Sequence, residues 1–297
     1  MTGFICLYKP EGMTSFSAVA RVRRIVGEKK AGHCGTLDPM ATGVLPIMLG
    51  GATRFLDFLP NSNKRYTAVM KLGITTDTLD ITGTVIENNP VEVSYEMVCE
   101  AADSFVGDIM QVPPMYSAIK KDGVRMYELA RKGIEVDREA RPVKILSAEV
   151  KRASEKNEYI LDVECSSGTY IRTLIDDIGK KLGCGAVMTK LERTLSSGFS
   201  IENAVTLEEL EKLAESGDIE SVLIPVSTAL SEYDEIRVTE AQARRFSNGG
   251  ELDLDRIRHC KANELYRVIS PEDKFLGLGY ADAQLRSLTV KRVYVGR

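Results

Sequence analysis

The stretch GHCGTLDPMATGVLP, residues 32–46, holds one carboxylate, Asp38, among three glycines and two prolines, with His33 and Cys34 just before it. A lone acid in a constrained loop can serve as a nucleophile or as a base. Other chemistries fail on the spacing. Glycoside hydrolysis needs two carboxylates at a set separation, and none is near Asp38 in sequence. Gly32, Gly35 and Gly43 do not make a dinucleotide fingerprint, and Gly50-Gly51-Ala52-Thr53 runs into Arg54 without the lysine of a phosphate-binding loop. His33 and Cys34 are adjacent, so on extended backbone their side chains point apart and make a poor nucleophile–base pair. The chain's second histidine, His259, stands far away beside Cys260, and neither histidine has metal-ligand spacing. A second constellation lies in CSSGTYIR, residues 165–172. Gly168 and Thr169 read as a strand-to-helix turn that places Tyr170 and Arg172 in a first helical turn. Arg172 is then a candidate counter-charge for Asp38, although an ordinary turn with a surface arginine reads the same from this segment alone.

These side chains need elements to hold them. Ser15 is expected to cap a helix over 16–27, with Val19, Val22, Ile25 and Val26 on one face and Gly27 as its stop. Residues 4–8, 44–49 and 66–72 read as strands, Ser94 as the cap of a helix to about 105, and 125–132 as a short helix. Residues 143–151 and 159–165 pair across a polar turn. Ile171, Leu174, Ile175, Ile178 and Leu182 form the apolar stripe of a helix over 169–182 that Gly183 ends. An acidic helix follows at 206–216. From about 236 the texture becomes one short helix and several short strands. Strands and helices alternate without regular βαβ units, so the expected fold is α+β. Its sheet is mixed and largely antiparallel with flanking helices, and a small β-rich domain follows. The division expected is a catalytic domain over 1–232 and a C-terminal domain over 233–297.

The 297 residues carry a net charge of −4, which by itself argues against a polyanionic partner. The distribution reverses that argument. Residues 2–54 hold seven Lys/Arg against three acids, and residues 114–152 ten against six. Residues 72–119 hold eight acids and no base, and 200–235 ten acids with the single base Lys212. Such segregation permits a basic face for nucleic acid. Six scattered cysteines without paired spacing read as free thiols of a reducing compartment. With neither a secretory N-terminus nor a membrane-length apolar run, the expected location is the cytoplasm.

Taken together, the motifs resemble the TruB family of tRNA pseudouridine synthases. GHCGTLDPMATGVLP is similar to the family's catalytic motif, which usually has Thr at the place of Cys34. KPEGMTS (9–15) resembles its N-terminal segment, and KRY (64–66) with LG (72–73) and TDTLD (76–80) its next motif. PPMYSAIK (113–120), RMYELAR (125–131) and REARP (138–142) resemble a family insertion at about 116–141. SGTYIRTL (167–174) and LGCGA (182–186) complete the set, and the tail more loosely resembles a PUA RNA-binding domain.

The resemblance implies conversion of uridine 55 in the tRNA T-loop to pseudouridine, by flipping the nucleotide into a pocket, with no metal or organic cofactor. It implies that Asp38 is the essential carboxylate, attacking the sugar, attacking the uracil ring or removing a sugar proton. Arg172 is its partner, and Tyr66 stacks on the flipped base. Tyr170 and Leu191 line the pocket, and His33 enters the space the base vacates. The basic insertion, Lys120, Lys121, Arg125, Arg131 and Lys132, grips phosphates of the T stem-loop. No membrane and no obligatory protein partner are implied, and an acceptor-stem contact by the C-terminal domain stays open. Two other readings remain: a tRNA-binding or tRNA-folding protein with dispensable catalysis, and a guide-RNA-dependent subunit. The insertion favours the stand-alone enzyme.

Overall fold

The structure, a computed structural model, describes residues 1–297 apart from 61, 62, 118, 122, 131, 258, 259 and 297, and all described side chains except those of 120, 121 and 125. Arg131 and His259 therefore lie outside the described residues, as does the side chain of Lys120. The chain divides into two compact units, Met1–Asp38, Leu45–Asn61 and Ser197–Arg297 forming the first, and Pro39–Val44 with Ser62–Ser196 the second.

The second unit is built on strands in the order Ala186–Ser196, Lys64–Leu72, Glu158–Cys165, Arg141–Arg152, Gly107–Gln111, each antiparallel to its neighbour. Alternation decides its faces. Tyr66, Ala68, Met70 and Leu72 are buried, while Lys64–Leu72 presents Arg65, Thr67 and Lys71 on the other side. Partners across the strands match that second face: Arg65 bonds Glu164 at 2.7 Å, Thr67 bonds Asp162 at 2.6 Å, and Lys151 bonds the same Asp162 at 2.8 Å. Burial raises the Asp162 carboxyl, but its bonds from Lys151 and Thr67 outweigh this and hold it below the ordinary carboxylate range.

The helix Ile171–Leu182 packs its apolar stripe on Ala186–Ser196 and ends at Gly183 in the left-handed conformation, as its periodicity predicts. The helix Tyr95–Asp103, capped by Ser94 as expected, packs against it and against Arg141–Arg152. There the Tyr95 ring stacks on Tyr159 at 6.3 Å, and its hydroxyl donates to the Val150 carbonyl at 2.7 Å.

Thr42 and Gly43 join this unit by parallel pairing with Glu192 and Arg193. Gly43 has φ +98°, and a Cβ there would stand 2.3 Å from the Arg193 carbonyl oxygen. Gly43→Ala therefore combines backbone strain with a backbone clash and should cost at least about 2 kcal/mol. Thermal unfolding should show a midpoint lowered by about 5 °C or more. Gly27→Ala, with φ +67° and nothing within 4 Å, should cost about half as much. Equal effects would mean that the contact with Arg193 carries no weight.

In the first unit Gly3–Lys9 is buried along nearly its whole length. Phe4 exchanges two 2.8 Å backbone bonds with Ile224, and Tyr8 donates to Val205 at 2.8 Å. The helix Ser15–Val26 packs on Leu207–Ser216 and on Ala31–His33, burying Ala18, Val19 and Val22. Its cap differs from the expected one. Thr14 accepts from the Ser17 N–H, because the Ser15 hydroxyl is used elsewhere: it donates to the Leu37 carbonyl at 3.0 Å and accepts from the Leu37 N–H at 2.8 Å.

The C-terminal strands run Glu235–Arg237, Leu265–Ile269, Phe275–Asp282, Ser287–Val293, Leu252–Asp253. With the helix Glu240–Ser247 they enclose a core of their own around Phe246, Tyr266, Val268 and Leu288. Phe275 and Tyr294 meet Phe55 at ring distances of 6.0 and 6.4 Å.

Candidate active site

Asp38 closes the first unit's share of the motif loop and is half-buried. The segment before it is pinned at several residues. His33 ends the short strand Ala31–His33, which pairs with Ile47–Leu49, and its Nδ1 accepts from the Gly35 N–H at 3.3 Å. Cys34 is buried and donates its N–H to the Pro46 carbonyl at 3.0 Å. Leu37 is bracketed by the Ser15 hydroxyl. Cys34, which stands where the family usually has Thr, is thus buried within the loop.

Tyr66, Tyr170, Arg172 and Leu191 belong to the second unit. Tyr66 lies opposite Arg193 and Leu191 opposite Ala68 on the neighbouring strand, so Tyr66 and Leu191 share the buried face, two residues apart in register. Two basic residues, Lys64 and Arg193, stand beside Tyr66 in the paired strands. Arg193 is fully buried and donates from Nε to the Val44 carbonyl at 2.7 Å. Burial, then the Arg193 charge, lowers the Lys64 ammonium from its ordinary value. Burial pushes the Cys165 thiol up to about 11, so this cysteine is a protonated packing group at neutral pH.

Arg172 sits in the first turn of Ile171–Leu182, as expected, and Tyr170 takes the N-cap position in extended conformation rather than a place inside the turn. The Tyr170 peptide is clamped by the Gln111 amide, which donates to its carbonyl at 3.0 Å and accepts from its N–H at 2.8 Å. Arg172 is 4% exposed. Its Nη1 donates to the Thr78 carbonyl at 3.1 Å and its Nη2 to the Tyr116 carbonyl at 2.9 Å. Nη1 also lies 3.6 Å from Oδ2 of Asp80.

Asp80 is the residue that motif reading passed over. Its Oδ1 accepts from the Thr78 hydroxyl at 2.9 Å, the Thr82 N–H at 3.0 Å and the Thr82 hydroxyl at 2.5 Å. The turn carrying it uses Leu79 at φ +63°, and the backbone exchanges bonds with Met188 through Ile81 N–H at 2.9 Å and Leu79 carbonyl at 3.3 Å. The density of Thr and Asp in TDTLD (76–80) is the available signal that one acid is oriented by hydroxyls. Lys120 lies on the two-residue strand Lys120–Lys121, paired with Val124–Arg125.

Residues 23–171 match the TruB family pseudouridylate synthase (N terminal domain), and 172–231 match the tRNA pseudouridylate synthase B C-terminal domain. The chain is 48% identical over 282 residues to the tRNA pseudouridine synthase B of Clostridium tetani, covering 94% of this chain and 95% of that protein. It is 42% identical over 296 residues to the protein of that name from Escherichia coli K12, covering 96% and 93%. Among solved structures it resembles a chain of a Cbf5-Nop10-Gar1 complex, with TM-score 0.75 and 29% identity over 99% of this chain and 85% of that one. No helix among the described residues is long and apolar enough to cross a membrane.

Proposed function

Because the chain belongs to the TruB family and forms pseudouridine in tRNA, we propose that its target is uridine 55 of the T-loop and that Asp38 drives the rearrangement. The uridine flips out of the loop into the pocket. The bond between uracil N1 and C1′ breaks, the ring turns, and C5 bonds to C1′. The C5 proton leaves to solvent and N1 gains one, so the reaction is an isomerisation. Attack on the sugar, attack on the ring and removal of a sugar proton all require a carboxylate at Asp38, with Arg172 as its counter-charge. Tyr66 supplies the stacking face, Leu191 and Tyr170 the pocket wall, and His33 fills the space left in the loop. Lys120 and its basic neighbours grip phosphates. The C-terminal module, over 233–297, acts as a PUA-like RNA-binding domain.

One observation supports this reading more than any other. The Arg172 guanidinium is buried and fixed by two carbonyls and the Asp80 carboxylate, in a chain whose family match also contains Asp38 and Tyr66. A group held so rigidly is preorganised to stabilise developing charge.

The test is incubation of the protein with an unmodified tRNA transcript carrying 5-tritiated uridine. Release mapped to the T-loop is expected; binding without release would favour an RNA-folding role. For the pocket, Tyr66→Ala should lower kcat/KM by about 1–3 kcal/mol, the worth of a base–aromatic stack. Tyr66→Phe should recover that share, and a Phe variant as impaired as Ala would remove stacking from the account.

A further inference from the structure

The helix Ser15–Val26 has a second face that the reaction leaves unused. Spacings of four, seven and eight residues put Ala20, Arg23 and Arg24 on the side of Phe16. Phe16 is 79% exposed, the most exposed large hydrophobic among the described residues. Arg23 and Arg24 are exposed in the last turn, and Lys29 and Lys30 are exposed just beyond the Gly27 cap. The side chains of these four cations have no hydrogen-bond or ion-pair partner among the described residues, whereas Arg21, on the flank, is paired with Glu211. Glu28, between the helix and the two lysines, is engaged by the Met1 amino group at 3.0 Å and the Lys30 N–H at 3.1 Å.

Complementing the helix dipole accounts for Arg23 and Arg24, but for neither Phe16 nor the two lysines. The strip also has a defined origin. Ser15, the residue before Phe16, is bonded to both backbone groups of Leu37, the residue before Asp38. From there the helix carries the strip away over 12 residues, a length of about 18 Å.

We infer that this strip, from Phe16 through Arg23 and Arg24 to Lys29 and Lys30, is a track for the sugar–phosphate backbone of the substrate RNA as it leaves the Asp38 loop, with Phe16 as a stacking platform at its start. The inference rests on tRNA being the substrate. Charge complementarity selects the occupant: four unpaired cations and an exposed aromatic ring suit an RNA strand, whose bases and riboses offer stacking surfaces between phosphates.

The test is equilibrium binding of unmodified tRNA across a salt series, with tritium release measured in parallel. The variant R23Q/R24Q/K29Q/K30Q should bind at least about tenfold more weakly near 0.15 M salt, and its slope of log affinity against log salt should fall by about 0.7–0.9 per lost contact. Phe16→Ala should weaken binding by about fivefold or more, with recovery in Phe16→Tyr. Lys212→Gln, on the acidic helix Leu207–Ser216, is the charge control and should leave affinity and slope as in the wild type. If the fourfold variant loses its fold, as judged by melting, R23Q/R24Q and K29Q/K30Q separately carry the test. Wild-type affinity and slope in these variants would overturn the track while leaving the substrate reading intact. A wild-type protein that neither binds nor modifies tRNA would overturn the substrate reading itself.

Discussion

Asp38→Asn should abolish tritium release from the T-loop uridine, lowering kcat/KM by at least about 10³-fold. The amide has nearly the shape of the carboxylate, but it can neither attack carbon nor accept a proton as a carboxylate does. The fold should survive, because the amide keeps the size of the carboxylate and the loop is also held by the Ser15 hydroxyl on Leu37, the Pro46 carbonyl under Cys34 and the His33 ring on Gly35. Thermal unfolding should stay within a few degrees of wild type, and tRNA affinity within a few-fold. Single-turnover release with saturating protein reads the chemistry apart from binding. A variant that keeps a tenth of the activity with its fold intact would remove Asp38 from the reaction.

Breaking the arginine network should have the second-largest effect. Arg172→Lys keeps a positive charge but loses the planar fork whose two ends reach different carbonyls, Thr78 and Tyr116. One ammonium cannot span both and still face Asp80, so kcat should fall by about 10²–10³-fold. Arg172→Ala would also leave a buried carboxylate without its cation, at a cost of about 3–5 kcal/mol in stability. Asp80→Asn separates the two roles. The amide oxygen can still accept from Thr78 and Thr82, so the turn should hold, but the charge opposite Arg172 is gone. The expected result is a lower kcat with KM and melting nearly unchanged. The double variant Arg172→Lys with Asp80→Asn should be little worse than Arg172→Lys alone, since the residues act as one unit. Full activity in Asp80→Asn would reduce Asp80 to a staple of its own turn.

Much of the fold follows from local pattern. Alternation over 64–72 and 158–165 makes one buried apolar face and one more exposed, mostly polar face, and the stripe over 171–182 with its Gly183 stop made the helix that carries Arg172. Where local reading erred, a distant contact had claimed the group. Ser15 looks like a cap, yet its hydroxyl belongs to Leu37, 22 residues on, so the cap moves to Thr14.

The sequence by itself determined the chemical inventory: one carboxylate in a punctuated loop, an aromatic on a strand, an arginine opening a helix, and motifs in the order of the TruB family. Tertiary structure alone decided how those groups are held. Arg172 reaches the Thr78 carbonyl 94 residues back and Tyr116 56 back, and Gln111 clamps Tyr170 across 59. Periodicity, capping and turn chemistry are local, extending over a few residues, and carry no record of such pairings. They arise when the strands register and the helix docks, because a buried guanidinium must find its acceptors wherever the packed chain supplies them.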